Sequence, residues 1–168
     1  MEEEVLRATK DYAYTAWEFN QTRKKSIEDR SIWRGKSLDD DNFWLYGYLT
    51  SIFSNNKAKI NDIFVDKETV SQYSGYDDKN NKPIFEGDII RITSKGEDKK
   101  QVIRGVVIYT KESWQVDIGY AEHKNMFSKF DLYPCFDDYF DIEIIGNIWD
   151  DKELLTDRTI VGYFKEDK

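Results

Sequence analysis

The chain has one histidine, His123, and one cysteine, Cys135. Paired, they could form a nucleophile, with the imidazole taking the thiol proton. Two singletons at this separation do not establish such a pair, and the plainer reading is an inert thiol and a surface histidine. A structural zinc site needs about four Cys or His ligands, so these two are too few. Asp78-Lys79-Asn80-Asn81-Lys82 opens like a calcium loop, but lysine holds its fifth position and glycine is missing from its sixth. No glycine loop suited to phosphate occurs. The residues therefore point to no metal and no cofactor.

Carboxylates are abundant: Asp39 to Asp41, Asp137, Asp138, Asp141, Glu143, Asp150 and Asp151. A close pair could do acid–base work or hold a divalent ion. In an acidic chain such clusters are usually solvated turns. Glu86 and Asp88 are the carboxylates most suited to a fixed geometry, because they flank Gly87. Even there a turn is the favoured role, with Asp88 accepting backbone N–H groups. Catalysis through Glu86 or Asp88 is the least favoured function.

One stretch inverts the local charge. Residues 89–111 hold six basic side chains against two acidic ones, a net +4 that leaves −12 for the rest of the chain. Arg91, Lys99, Lys100 and Arg104 in a basic hairpin could contact phosphates. Tyr109 and Trp114 nearby could stack a base. The competing reading is a solvated loop, Thr93 to Lys100, whose lysines also blunt an edge strand.

These groups must be positioned by the stretch Gln72 to Ile92, which packs two turns between strands. Tyr73-Ser74-Gly75-Tyr76 forms its start, with Gly75 free to take positive φ. Asp77 to Pro83 is dense in turn formers. Glu86-Gly87-Asp88 makes the second turn, and Ile89 to Ile92 leaves as a strand. Further strands are expected at 43–53, with Gly47 marking a bulge or a close backbone approach. Others fall at 60–65, 69–73, 101–109, 114–120, 142–149 (with a kink at Gly146) and 159–164. Met126 to Tyr133 is ambiguous, and Asp151 to Leu155 reads as one helical turn. Val5, Ala8, Tyr12, Ala16 and Phe19 make an apolar stripe, so residues 1–28 are expected to form an amphipathic helix. Short strands separated by turns predict a mainly β protein, a small barrel or sandwich over residues 29–168.

The 168 residues suit one domain of ordinary size, or one domain with an appendage. Aromatic residues make up 15% of the chain, which argues for a folded core despite 35% charged residues. The net charge of −8 disfavours phosphate backbones and anionic lipid. A lone cysteine, an acidic N-terminus and the lack of any long apolar run lead to the expectation of a cytoplasmic protein with no membrane span.

Three separated motifs, in order, resemble the YopX family. Gln72-Tyr73-Ser74-Gly75-Tyr76 is followed by Asp78-Lys79-Asn80-Asn81, then Ile84-Phe85-Glu86-Gly87-Asp88-Ile89. Ile145-Gly146-Asn147-Ile148 and Leu154-Leu155 come near the C-terminus. Upstream, Arg34-Gly35-Lys36 and Trp44-Leu45-Tyr46-Gly47-Tyr48 are similar to family segments. Asn81 stands where the family usually has Gly, and Ser74 and Tyr76 replace Thr and Leu. The resemblance spans Ile32 to Leu155 and excludes the N-terminal segment. It implies a phage or prophage origin, in an infected or lysogenic bacterial cell. It also implies an SH3-like, partly open barrel in the C-terminal part, with its core about residues 69–155. It supplies no activity.

The structural turn motif is thus Gln72, Gly75, Asp78, Asn80, Glu86, Gly87, Asp88, Gly146 and Asn147. The favoured function is a non-catalytic interaction module that binds a host or phage protein, or a second copy of itself, through an aromatic-rich β surface. The alternative is nucleic-acid or nucleotide binding through the hairpin around 91–104.

Overall fold

In a computed structural model, the described residues are 32–39, 43–95, 100–111, 113–118, 129–132, 139–155 and 162–164. They form a mainly β protein with two antiparallel sheets. The helix expected over residues 1–28 lies outside the described residues. No described helix is long and apolar enough to cross a membrane. The chain divides into two compact units, Met1–Gly75 and Tyr76–Lys168. The sequence reading placed one β domain over 29–168. No glycine- or proline-rich linker marks the division, because it falls within a strand.

In the first unit, β1 (Ile32–Lys36), β2 (Trp44–Ile52), β3 (Lys57–Ile60), β4 (Ile63–Asp66) and β5 (Ser71–Asp77) lie in the order β4-β3-β2-β1-β5. Leu45, Ala58, Ile60 and Val65 form its buried core, with Trp33, Phe43, Leu49, Ile63 and Val70 packed around them. The sheet curls, so that Ser37 just after β1 bridges to Val65 on β4, and Leu38 N–H donates to the Phe64 carbonyl at 3.3 Å. Gly35 permits this curl, since a Cβ there would stand 3.1 Å from a Val65 methyl.

The single strand expected at 60–65 is instead two strands joined by Asn61-Asp62. Both residues have positive φ, 47° and 65°. That is the backbone of a two-residue hairpin turn, which Asn and Asp tolerate better than most side chains. Asn61 also explains Gly47. Its side-chain oxygen accepts from Tyr48 N–H at 2.9 Å, and its amide lies where a Gly47 Cβ would be. The close approach expected at Gly47 is therefore made by a side chain from the next hairpin. The register shift in β2 comes just after, between Leu49 and Ser51.

The second unit begins at the end of β5. A turn at 78–82 leads to β6 (Pro83–Phe85), and a tight corner leads to β7 (Asp88–Ser94). β8 (Lys100–Tyr109), β9 (Trp114–Asp117), β10 (Lys129–Asp131), β11 (Phe140–Asn147) and β12 (Gly162–Phe164) follow. The sheet order is β10-β9-β8-β7-β11, an open half-barrel, with β12 also paired to β8. The ambiguous stretch at 126–133 thus contains a strand, and the turn expected at 151–155 is a short 3-10 helix, Lys152–Leu155. Alternation sends Ile90 and Ile92 of β7, Val107 of β8, Val116 of β9 and Ile142 of β11 into one core with Ile84 and Leu132. Each such burial contributes about 1.5–3 kcal/mol. Gly105 does not interrupt β8. A Cβ there would run into the Val116 side chain, so glycine lets β9 pack closely.

Candidate functional site

Two turns of the second unit are built from the sequence motifs. At the first, Asp78 is 5% exposed. Its Oδ1 accepts from the N–H groups of Asn80 (2.8 Å) and Lys82 (2.9 Å), and its Oδ2 accepts from Ile144 N–H at 3.2 Å. Lys79 N–H donates to the Ile142 carbonyl at 2.8 Å. One carboxylate therefore closes the turn and fastens it to β11. Asn81 has φ 60°, the conformation expected of a residue standing in for glycine. Gly75 has the positive φ expected of it, 87°, and takes it within β5. Gln72 is also in β5, opposite Trp33.

At the second turn, Asp88 is buried and its Oδ2 accepts from Phe85 N–H at 2.8 Å. Gly87 has φ 79°, donates to the Val107 carbonyl at 2.8 Å, and accepts from Ile148 N–H at 2.9 Å. A Cβ on Gly87 would stand 2.5 Å from the Trp149 ring. The third motif completes the joint. Asn147 Oδ1 accepts from Trp149 and Asp150 N–H groups, both at 3.0 Å, while Asn147 N–H donates to Asp151 at 2.9 Å. Gly146 leaves room for that same Asp151 side chain, which would stand 2.6 Å from a Cβ. Glu86 reaches Tyr109 N–H only at 3.4 Å. These carboxylates hold backbone in place. A buried Asp88 bonded to its own turn is poorly disposed for acid–base work.

The upstream motifs also meet. Arg34-Gly35-Lys36 pairs antiparallel with Trp44-Leu45-Tyr46, and Gly47 faces Trp33. Arg34 is buried, donates from Nε to Ser71 Oγ at 3.0 Å, and lies 4.6 Å from the centre of the Trp44 ring. A guanidinium over an indole is a favourable way to bury cationic surface.

The structure separates the basic candidates from the aromatic ones. Arg91 and Arg104 are directly opposite on β7 and β8. Tyr109 and Trp114 form a ring contact at 4.8 Å where β8 turns into β9. Arg104 and Tyr109 are five positions apart on one strand, so they point to opposite faces. A base stacked on the aromatic pair would not have its phosphate at the arginines. The local +4 is also offset in space by β11. Glu143 Oε2 lies 3.0 Å from Lys79 and 3.7 Å from Arg91, and Asp141 lies 3.3 Å from Lys95. Lys99 falls outside the described residues, as do His123, Cys135, Asp137 and Asp138, and Lys100 is described only as β8 backbone. Asp131 accepts from Ser113 Oγ at 2.7 Å and Gln115 at 3.2 Å, which holds its carboxyl below the ordinary value. Among the described residues, no three Asp, Glu, His or Cys side chains converge as a metal site would require.

The sequence reading passed over the outer face of the β3–β4 hairpin. Ala58, Ile60 and Val65 point inward, so Lys57, Lys59 and Phe64 point outward. Phe64 is 43% exposed and its ring lies 5.8 Å from that of Phe53. Lys59 Nζ is 4.6 Å and Lys57 Nζ 5.6 Å from the centre of the Phe64 ring. Ile52, at the end of β2, is 61% exposed as well, but it stands opposite Ala58 and so belongs to the inner face. The signal was present as Lys-Ala-Lys-Ile before Asn-Asp, but reading 60–65 as one strand hid the pairing of Lys59 with Phe64.

The family model described as YopX protein matches residues 13–156. The match begins upstream of Ile32, so it reaches into the segment that the motif resemblance excluded. No curated protein and no solved structure matches the chain.

Proposed function

The chain belongs to the YopX family, and from that premise we propose that it is a non-catalytic, phage- or prophage-encoded interaction module acting in the bacterial cytoplasm. The observation that carries this reading is the exposed aromatic pair of the first unit, Phe53 and Phe64, on a sheet whose other face is already filled. Exposed aromatic side chains on a rigid strand pair give contact area with little ordering cost. We read the six-stranded sheet of the second unit as an SH3-like, partly open barrel whose motif carboxylates are committed to turns. That leaves surface residues, not Glu86 or Asp88, to carry the activity. Binding to nucleic acid through Arg91 and Arg104 is the weaker reading, because Glu143 and Asp141 of β11 offset Arg91 and Lys95 beside them.

The test is a quantitative pull-down with the full chain and its Phe64→Ala variant. A stoichiometric protein partner held by the wild type and lost by the variant supports the proposal. Equal recovery by both proteins, or specific recovery of nucleic acid alone, refutes it.

A further inference from the structure

We infer that the outer face of the β3–β4 hairpin takes an acidic peptide segment of a separate partner protein. Its carboxylates would sit on Lys57 and Lys59, and an apolar side chain would lie against Phe53 and Phe64. The inference rests on the interaction-module reading and adds the chemistry of the partner. Lys57 and Lys59 flank the exposed ring on one face, and neither has an ion pair with a described carboxylate. Asp66 is opposite Lys57 in register, but its Oδ1 is engaged by Glu68 N–H at 3.0 Å and by the Asn56 amide at 3.4 Å. Lys67 adds a third ammonium beside the patch, where it donates to the Phe53 carbonyl at 3.0 Å. Two cations held over a ring give up little when a carboxylate arrives, since they can bind it without leaving the aromatic edge.

The charge of the chain selects the occupant. A net charge of −8 repels a long polyphosphate along its whole length. A short segment with two or three carboxylates can reach Lys57, Lys59 and Lys67 and stay clear of Asp66, which faces outward opposite Lys57 at the edge of the patch.

The probe is a fluorescein-labelled ten-residue peptide with alternating Glu and one central Phe, titrated into the full chain by anisotropy. A control peptide has Gln for Glu. The expected result is binding of the Glu peptide that weakens about tenfold or more in Lys57→Glu/Lys59→Glu and in 0.5 M salt, roughly the effect of like charges in contact. Phe64→Ala should weaken it as well, while amide shifts on titration stay within residues 52–66. These side chains are exposed, so unchanged circular dichroism will show that the variants fold. Equal binding of the Gln peptide overturns the proposal. So does tighter binding of a dT oligonucleotide through the same lysines, or self-association of the wild type that the double reversal abolishes. If a pulled-down partner is lost in Phe64→Ala yet kept in Lys57→Glu/Lys59→Glu, the acidic chemistry fails while the interaction-module reading stands.

Discussion

The Trp149 ring occupies the space that a side chain on Gly87 would need, 2.5 Å from the position of its Cβ. Two motifs that are about sixty residues apart in sequence, Glu86-Gly87-Asp88 and Gly146-Asn147, thus form one joint. Gly87 also has φ 79°, so a substitution faces both backbone strain and overlap. Gly87→Ala should cost about 2–4 kcal/mol in urea unfolding. Gly75, with φ 87° and open space around it, is the control. Gly75→Ala should cost about 1–2 kcal/mol, the backbone penalty alone. Equal losses would mean that the Trp149 contact is unimportant.

Asp78 ties the β5–β6 turn to β11 through Ile144. Asp78→Ala should destabilise by about 2–3 kcal/mol, because three backbone donors lose a buried acceptor. Asp78→Asn can keep the Oδ1 bonds within the turn and loses the ionic acceptor for Ile144. Its cost should be about half as large, with the Ile144 amide exchanging faster with deuterium. Unchanged exchange there would remove the tie.

Neutralisation of the basic hairpin can be read on heparin. Glu143→Gln frees Lys79 and Arg91 from their shared carboxylate. The variant should elute at higher salt than the wild type. Stability should change by less than about 1 kcal/mol, since both ion pairs are largely exposed. Identical elution would show that β11 does not mask this face.

Asp131 gives a pH-dependent prediction. Hydrogen bonds from Ser113, then Gln115, depress its folded pKa. Its contribution to stability is therefore present above the unfolded pKa and lost as pH falls through the lower folded value. In an NMR titration of the Asp131 carboxyl, Ser113→Ala should raise the midpoint. No movement would mean that the hydroxyl does not hold the carboxylate in solution.

The corners of the second unit were legible because their residues act locally: Gly87 for positive φ, Asp88 for its own turn, and Asn81 in place of glycine. Strand existence was likewise legible from alternation at Trp114 and Val116, although β9 ends at Asp117, before Ile118. What stayed hidden depends on residues far apart in sequence. Nothing local says that Glu143 will pair with Arg91, that Asn61 will sit over Gly47, or that Trp149 will cover Gly87. The hairpin at 61–62 was missed because Asn-Asp is a weaker turn signal than Asn-Gly. Arg91 and Arg104 were grouped with Tyr109 and Trp114 by nearness along the chain, whereas Arg104 and Tyr109 face opposite ways on β8. Closeness in sequence ignores the alternation of faces along a strand.

The central claim is that the exposed face of the first unit, and not the motif carboxylates of the second, carries the function. Hydrogen exchange on the purified complex with the captured partner tests it most directly. The account predicts slowed exchange over residues 52–66, with residues 84–92 unaffected. Protection confined to β7 and β8, with 52–66 unchanged, would contradict it.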